Sequence, residues 1–160
     1  MLPKILVGTI IASFLGLVVL GTWSKLTQED AETLTNEALS GPDASVRLQA
    51  ALRLSLYGAD GVAGMRRVLA ESEEPDVRAA MLDGLAAQRD WESMPTMIAA
   101  LDDENAEVRR RAASAINHLF NRDFGLRPDT PAAERAKTIE LIRDMHKTIV
   151  ATPPDFEPES

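Results

Sequence analysis

The sequence predicts an all-α fold, an α-solenoid of about three and a half helix pairs following a single N-terminal transmembrane helix. Three observations predict it. Val-Arg recurs at Val46-Arg47, Val77-Arg78 and Val108-Arg109, 31 residues apart each time. Aromatic residues are only 4% of the chain while Ala and Leu abound, which suits closely packed helices better than strands. Finally, the 19 residues Ile5–Trp23 carry no charge; as a helix rising ~1.5 Å per residue they would span ~28 Å, about the hydrocarbon thickness of a bilayer.

The apolar run follows a short flank, residues 1–4, and precedes a juxtamembrane linker, residues 24–26. Lys4 stands before it, and Trp23 and Lys25 at its far end are the interfacial aromatic and snorkelling cation expected there. The rival reading is a cleaved signal peptide. Against it, the run exceeds the usual ~7–15 apolar residues, and Val19-Leu20-Gly21 matches a small-residue cleavage site poorly. Lys4 and the free amine favour a cytoplasmic N-terminus, with Lys25 opposing weakly. The body would then be periplasmic, on a bacterial inner membrane. Gly8, Ala12 and Gly16 place small side chains down one helix face, where another transmembrane helix could approach closely. Small residues recur in any single span, so the strip also has a bland explanation.

The repeat body is expected over residues 27–150. Four, five and eight residues after each repeated Val stand Ala50, Ala51 and Leu54, then Met81, Leu82 and Leu85, then Ala112, Ala113 and Ile116. Those offsets form one stripe of an α-helix, so the same amphipathic helix occurs three times. Second helices lie between, with apolar faces Val62, Met65, Val68 and Leu69, and Met94, Met97, Ile98 and Leu101. A further second helix precedes the first Val-Arg: Thr27 can cap it, Gly41-Pro42 ends it, and Ala31, Leu34, Ala38 and Leu39 face inward. The last is longer, with Thr130 as cap, Pro131 in the first turn, and a stripe of Ile139, Ile142, Met145 and Ile149 widened by Leu141. Residues 151–160, with three prolines, read as a disordered acidic tail.

Composition excludes several functions. With no cysteine there is no disulfide, thiol nucleophile, thiolate metal site or lipid-anchor cysteine. Residues 24–160 hold 16 basic and 25 acidic side chains, a net of −9. That acidic body argues against nucleic-acid binding, which needs a basic face, and against a polybasic membrane-surface module.

At Pro42-Asp43-Ala44-Ser45-Val46-Arg47, Pro75-Asp76-Val77-Arg78 and Glu107-Val108-Arg109 the sequence resembles the HEAT-repeat superfamily, in its short bacterial form related to bilin-lyase HEAT-like repeats. Asn121-Arg122-Asp123-Phe124-Gly125 and Pro131–Ala136 resemble the end of such domains. The resemblance implies that Asp76, Arg47, Arg78 and Arg109 stabilise the solenoid, a helix-start acid accepting from an arginine of the neighbouring repeat. An arginine ladder for an anionic ligand is the alternative.

No catalytic constellation emerges, and no cofactor is expected. Gly58–Gly64 lacks the strand and the Gly-Lys-Ser/Thr of a phosphate loop and reads as a turn. His118 and His146 lack a second ligand at helical spacing, and one HEAT-like hydroxylase group's His-Glu pairs are missing. What remains is surface. Arg66, Arg67, Glu92, Thr96, Arg143 and Lys147 are expected off the core side of the second helices, and Trp91 is either an exposed anchor or buried between repeats. The expectation is a non-enzymatic, membrane-anchored protein-binding scaffold, an accessory subunit whose partners are integral-membrane complex subunits. A bilin-lyase-like enzyme or chromophore helper and a secreted, cleaved repeat protein are the alternatives.

Overall fold

The computed structural model describes residues 30–151. The expected transmembrane helix 5–23, its interfacial Lys4, Trp23 and Lys25, the Gly8/Ala12/Gly16 strip and the Thr27 cap lie outside them, as do tail residues 152–160. Seven α-helices follow one another, with no strand among the described residues: α1 (Ala31–Ser40), α2 (Ala44–Ser55), α3 (Val62–Glu71), α4 (Pro75–Ala87), α5 (Met94–Ala100), α6 (Ala106–Phe120) and α7 (Ala132–Ala151). Short 3₁₀ turns, Gly58–Gly61 and Trp91–Ser93, precede α3 and α5. Among the described residues no helix is long and apolar enough to cross a membrane.

The three Val-Arg helices α2, α4 and α6 stack in one layer. In the second layer α1 packs on α3 and α5 on α7, whereas α3 and α5 touch only sparsely. The repeated stripe builds the interface: Ala50, Ala51, Leu54, Met81, Leu82, Leu85, Ala112 and Ile116 are at most 1% exposed, and Ala113 is buried too. Their second-helix counterparts Leu34, Met65, Met94 and Met97 are fully buried. Each such side chain contributes about 1.5–3 kcal/mol by leaving water, and flexible thioethers fill the irregular space between helix pairs.

Caps set the helix starts. Asp43 accepts from the backbone N–H groups of Ser45 and Val46, both at 3.0 Å. Asn105 does the same for Glu107 (2.8 Å) and Val108 (3.3 Å). These bonds satisfy first-turn donors that have no intrahelical partner. α4 instead begins with Pro75, which has no N–H to satisfy. After each Val-Arg helix the chain turns through a left-handed residue: Gly58 (φ 59°), Arg89 (φ 53°) and Asn121 (φ 51°). Following α4, the N–H of Asp90 bonds the Leu85 carbonyl at 3.1 Å, closing that C-terminus.

The three Val-Arg arginines act alike. Each sends one Nη1 to the carbonyl six residues earlier: Gly41, Ser72 or Asp103, at the end of the preceding second helix. Each also reaches forward to the next joint. Arg47 pairs with Glu74 (Nε to Oε1 2.8 Å), and Arg78 grips Asp103 through two bonds of 2.9 Å. Arg109 donates to the Pro128 carbonyl at 2.7 and 3.1 Å. Asp76 is not the acceptor. It sits exposed in the first turn of α4, and the acids used lie before the helix starts, where a long guanidinium can also meet the preceding C-terminus.

The last helix departs from expectation in three ways. It begins at Ala132, because the Pro131 carbonyl accepts from Glu134 and Arg135 N–H, while the Thr130 hydroxyl accepts from Arg127 N–H at 2.8 Å rather than capping α7. It continues through Ala151, one residue into the expected tail. Only Ile139 and Ile142 are buried; Met145 and Ile149 are half-buried and Leu141 faces solvent at 46% exposed. α7 packs on α5, its buried Ile139 and Ile142 lie mid-helix, and its last turns hold no buried residue. On α1, Leu34 and Ala38 are buried as expected, with Ala31 and Leu39 half-buried at the edge.

Candidate protein-binding surface

The second helices carry the residues expected to meet a partner, and the structure sorts them into three sets. The first centres on Arg66 of α3. Its Nε donates to Asp90 at 2.8 Å, its Nη2 to the other Asp90 oxygen, and its Nη1 to Glu92 at 2.7 Å. The buried Ser93 hydroxyl also donates to Asp90, whose side chain is only 8% exposed. The Arg66 bonds, aided by Ser93, hold the Asp90 carboxyl below its ordinary range against the opposing effect of burial. Arg66 itself is driven still higher by Asp90 and then Glu92. This network bridges the sparse contact between α3 and α5. Arg66 is thus committed inside the fold, an engagement the sequence did not announce, because Asp90 lies 24 residues away in a turn.

Trp91 follows in the same turn. It is half-buried, its ring edge-on to Phe120 with centroids 5.1 Å apart and planes at 77°. Phe120 meets Phe124 in the same way at 5.3 Å, and Arg122 lies over Phe124 at 5.2 Å. Trp91 is thus neither fully exposed nor fully buried: its ring packs on Phe120 while part of the residue faces solvent. Its partner Phe120 lies off the repeated stripe, so the sequence pattern does not mark this contact. Thr96 is half-buried on α5 and Glu92 is exposed.

The second set surrounds Arg67, which is 51% exposed. It contacts Glu71 at 3.2 Å within α3 and Asn36 Oδ1 of α1 at 3.4 Å. Arg67 lines a groove of about 360 Å³ with Ala31, Glu32, Thr35, Asp60, Ala63 and Gly64. The groove exists because small residues bring α1 and α3 together: a Cβ on Gly64 would stand 2.1 Å from Thr35 Oγ1. Arg143 and Lys147 form the third set, both exposed on α7, Lys147 meeting Asp144 at 3.3 Å.

The surface offers hydrogen-bonding and charged groups on packed helices. His118 is exposed and His146 half-buried. Among the described residues no group of three or more His, Cys, Asp or Glu is placed to hold a metal ion.

Residues 62–133 match a family model described as HEAT repeats. The match runs from the start of α3 into the first turn of α7 and supports the HEAT-repeat superfamily for this helical body. The same arrangement extends further back in the structure, since α1 and α2 repeat the packing, the left-handed turn and the arginine bridge of the matched pairs. Comparison with curated proteins and with solved structures gives no match. HEAT repeats suggest a role in protein–protein interaction in general.

Proposed function

We propose that this protein is a membrane-anchored protein-binding scaffold, an accessory or assembly subunit of a larger membrane protein complex. The observation that carries the reading is the HEAT-repeat body with the charge-free run Ile5–Trp23 ahead of it in sequence. Stacked helix pairs present an extended binding face, and an apolar 19-residue run has the length to hold that face at a bilayer. In this reading the N-terminus is cytoplasmic and the repeats periplasmic. Gly8, Ala12 and Gly16 pack against a partner's transmembrane helix, and the groove beside Arg67 receives a soluble segment.

The test is co-purification after gentle detergent extraction, combined with intact mass. The retained anchor predicts a mature chain that includes Met1–Gly21; a mature N-terminus near Thr22 sinks it. Gly16→Leu should weaken recovery of the partner while leaving membrane insertion intact, because Leu is apolar but blocks close approach. Arg67→Glu should weaken docking outside the membrane and alter its salt dependence. Arg66 is unsuitable for this purpose, since changing it strands the Asp90 carboxylate. Wild-type recovery of every partner with both variants would show these surfaces to be wrong.

A further inference from the structure

The three Val-Arg helices differ on their outer side. α2 carries Leu48 and Leu52 at i+4 spacing, and Leu56, four residues on, caps its C-terminus. The same repeat positions hold Ala79, Asp83 and Ala87 on α4 and Arg110, Ser114 and His118 on α6. Leu52 is 52% and Leu56 84% exposed. Leu48 is half-buried and lines a groove of about 440 Å³ with Ala44, Ser45, Glu74, Pro75 and Asp76. Single exposed leucines are ordinary. Leu52 and Leu56, in register where sister repeats expose Asp83 and Ala87 on α4 and Ser114 and His118 on α6, are a local departure from a solvated face, and Leu48, whose sister Ala79 is buried, joins them to the core.

Size and charge select the occupant. From Leu48 to Leu56 the row is about 12 Å long at ~1.5 Å per residue, the reach of one short helix crossing another. A stable dimer buries roughly 800 Å² per partner, which two exposed leucines and one half-buried leucine do not approach. A net charge of −8 also opposes pairing of two copies. The groove at the Leu48 end is rimmed by Glu74, already paired with Arg47, and by Asp76, exposed and outside the arginine pairs. Arg53 lies on the same helix but has interactions of its own. The carboxylate left over at this rim is complementary to a cation.

We propose that Leu48, Leu52 and Leu56 form a docking ridge for one amphipathic helix of a partner protein, with Lys or Arg flanking its apolar face. The proposal deepens the protein-binding reading by naming a surface and a partner chemistry. The apolar face covers the leucines, and a basic side chain meets Asp76.

The probe is a fluorescein-labelled amphipathic helical peptide with a leucine face and lysine flanks, beside a twin with glutamate for lysine. Each is titrated by fluorescence anisotropy into the full-length protein in zwitterionic nanodiscs, with empty nanodiscs as blank. The lysine peptide should bind at least tenfold more tightly than its twin. The double variant Leu52→Ser/Leu56→Ser, altered only at exposed positions, should keep its helical circular dichroism and lose at least tenfold in affinity. Asp76→Asn should reduce the preference between the twins. Equal affinity of the double variant and wild type would overturn the ridge, and equal affinity of the twins would overturn the basic partner. A dimer found by sedimentation in wild type and absent in the double variant would assign the row to a second copy instead. Cleavage near Thr22 would remove the anchored scaffold, and the same titration on the cleaved protein in solution would still test the ridge, so the two readings fail separately.

Discussion

Replacing Gly64 by Ala tests the crossing of α1 and α3 with two opposing effects of known size. In an exposed helix interior the change should stabilise by about 1 kcal/mol, because glycine loses more backbone freedom on folding. Here the new Cβ would meet Thr35 Oγ1 at 2.1 Å, with Leu54 Cδ1 and Cδ2 both at 3.3 Å. Thr35 cannot easily yield: it is 4% exposed, β-branched, and bonded through its hydroxyl to the Ala31 carbonyl at 2.6 Å. Overpacking of this kind costs about 1–3 kcal/mol. The clash wins, and the net expectation is a loss of up to about 2 kcal/mol. Thr35→Ala removes the obstructing atom, so the double variant should recover the loss, with a coupling of about 1–2 kcal/mol in the mutant cycle. Urea unfolding of the four proteins, followed by circular dichroism at the helical band, measures it. A gain of about 1 kcal/mol for Gly64→Ala alone would mean that the helices do not approach this closely.

Other perturbations read other parts of the fold. Leu85→Ala, at a fully buried position in the middle of the Val-Arg layer, should cost about 2–5 kcal/mol in the same assay; less than ~0.5 would place it on the surface. Arg89→Gly should stabilise by about 1 kcal/mol, since φ 53° penalises a side chain and the sister position Gly58 already has none; destabilisation would show that Arg89 makes a contact worth more than its strain. The depressed Asp90 carboxyl contributes stability above the unfolded aspartate pKa of about 3.9, and this is lost as pH falls through the lower folded value. Arg66→Met should therefore lower stability at neutral pH and flatten the decline below about pH 4; a decline as steep as wild type would remove the pair from acid sensitivity.

The repeat was legible because packing wrote it into the sequence. Each Val-Arg helix must bury the same stripe against its neighbours, so Leu54, Leu85 and Ile116 recur at 31-residue spacing and are all fully buried. The helix starts at Ala44 and Ala106 follow from Asp43 and Asn105, which cap locally. Polar partners were less legible. Arg78 reaches Asp103 and Arg66 reaches Asp90 across 25 and 24 residues, and one acid among many near a joint carries no mark of being chosen. The solvent-facing Leu141 was misread because the apolar pattern of a terminal helix outruns the neighbours available to cover it. The same reasoning missed Leu52 and Leu56, since attention to the conspicuous stripe hides a second row beside it.

The arginine bridges do not end as they begin. Arg47 and Arg78 terminate on carboxylates, whereas Arg109 terminates on the Pro128 carbonyl, which carries no formal charge. Salt screens a bridge between two full charges and acts less on one that ends at a neutral carbonyl. Among these three bridges, salt therefore loosens the joints at Glu74 and Asp103 while the link from α6 to its closing loop holds.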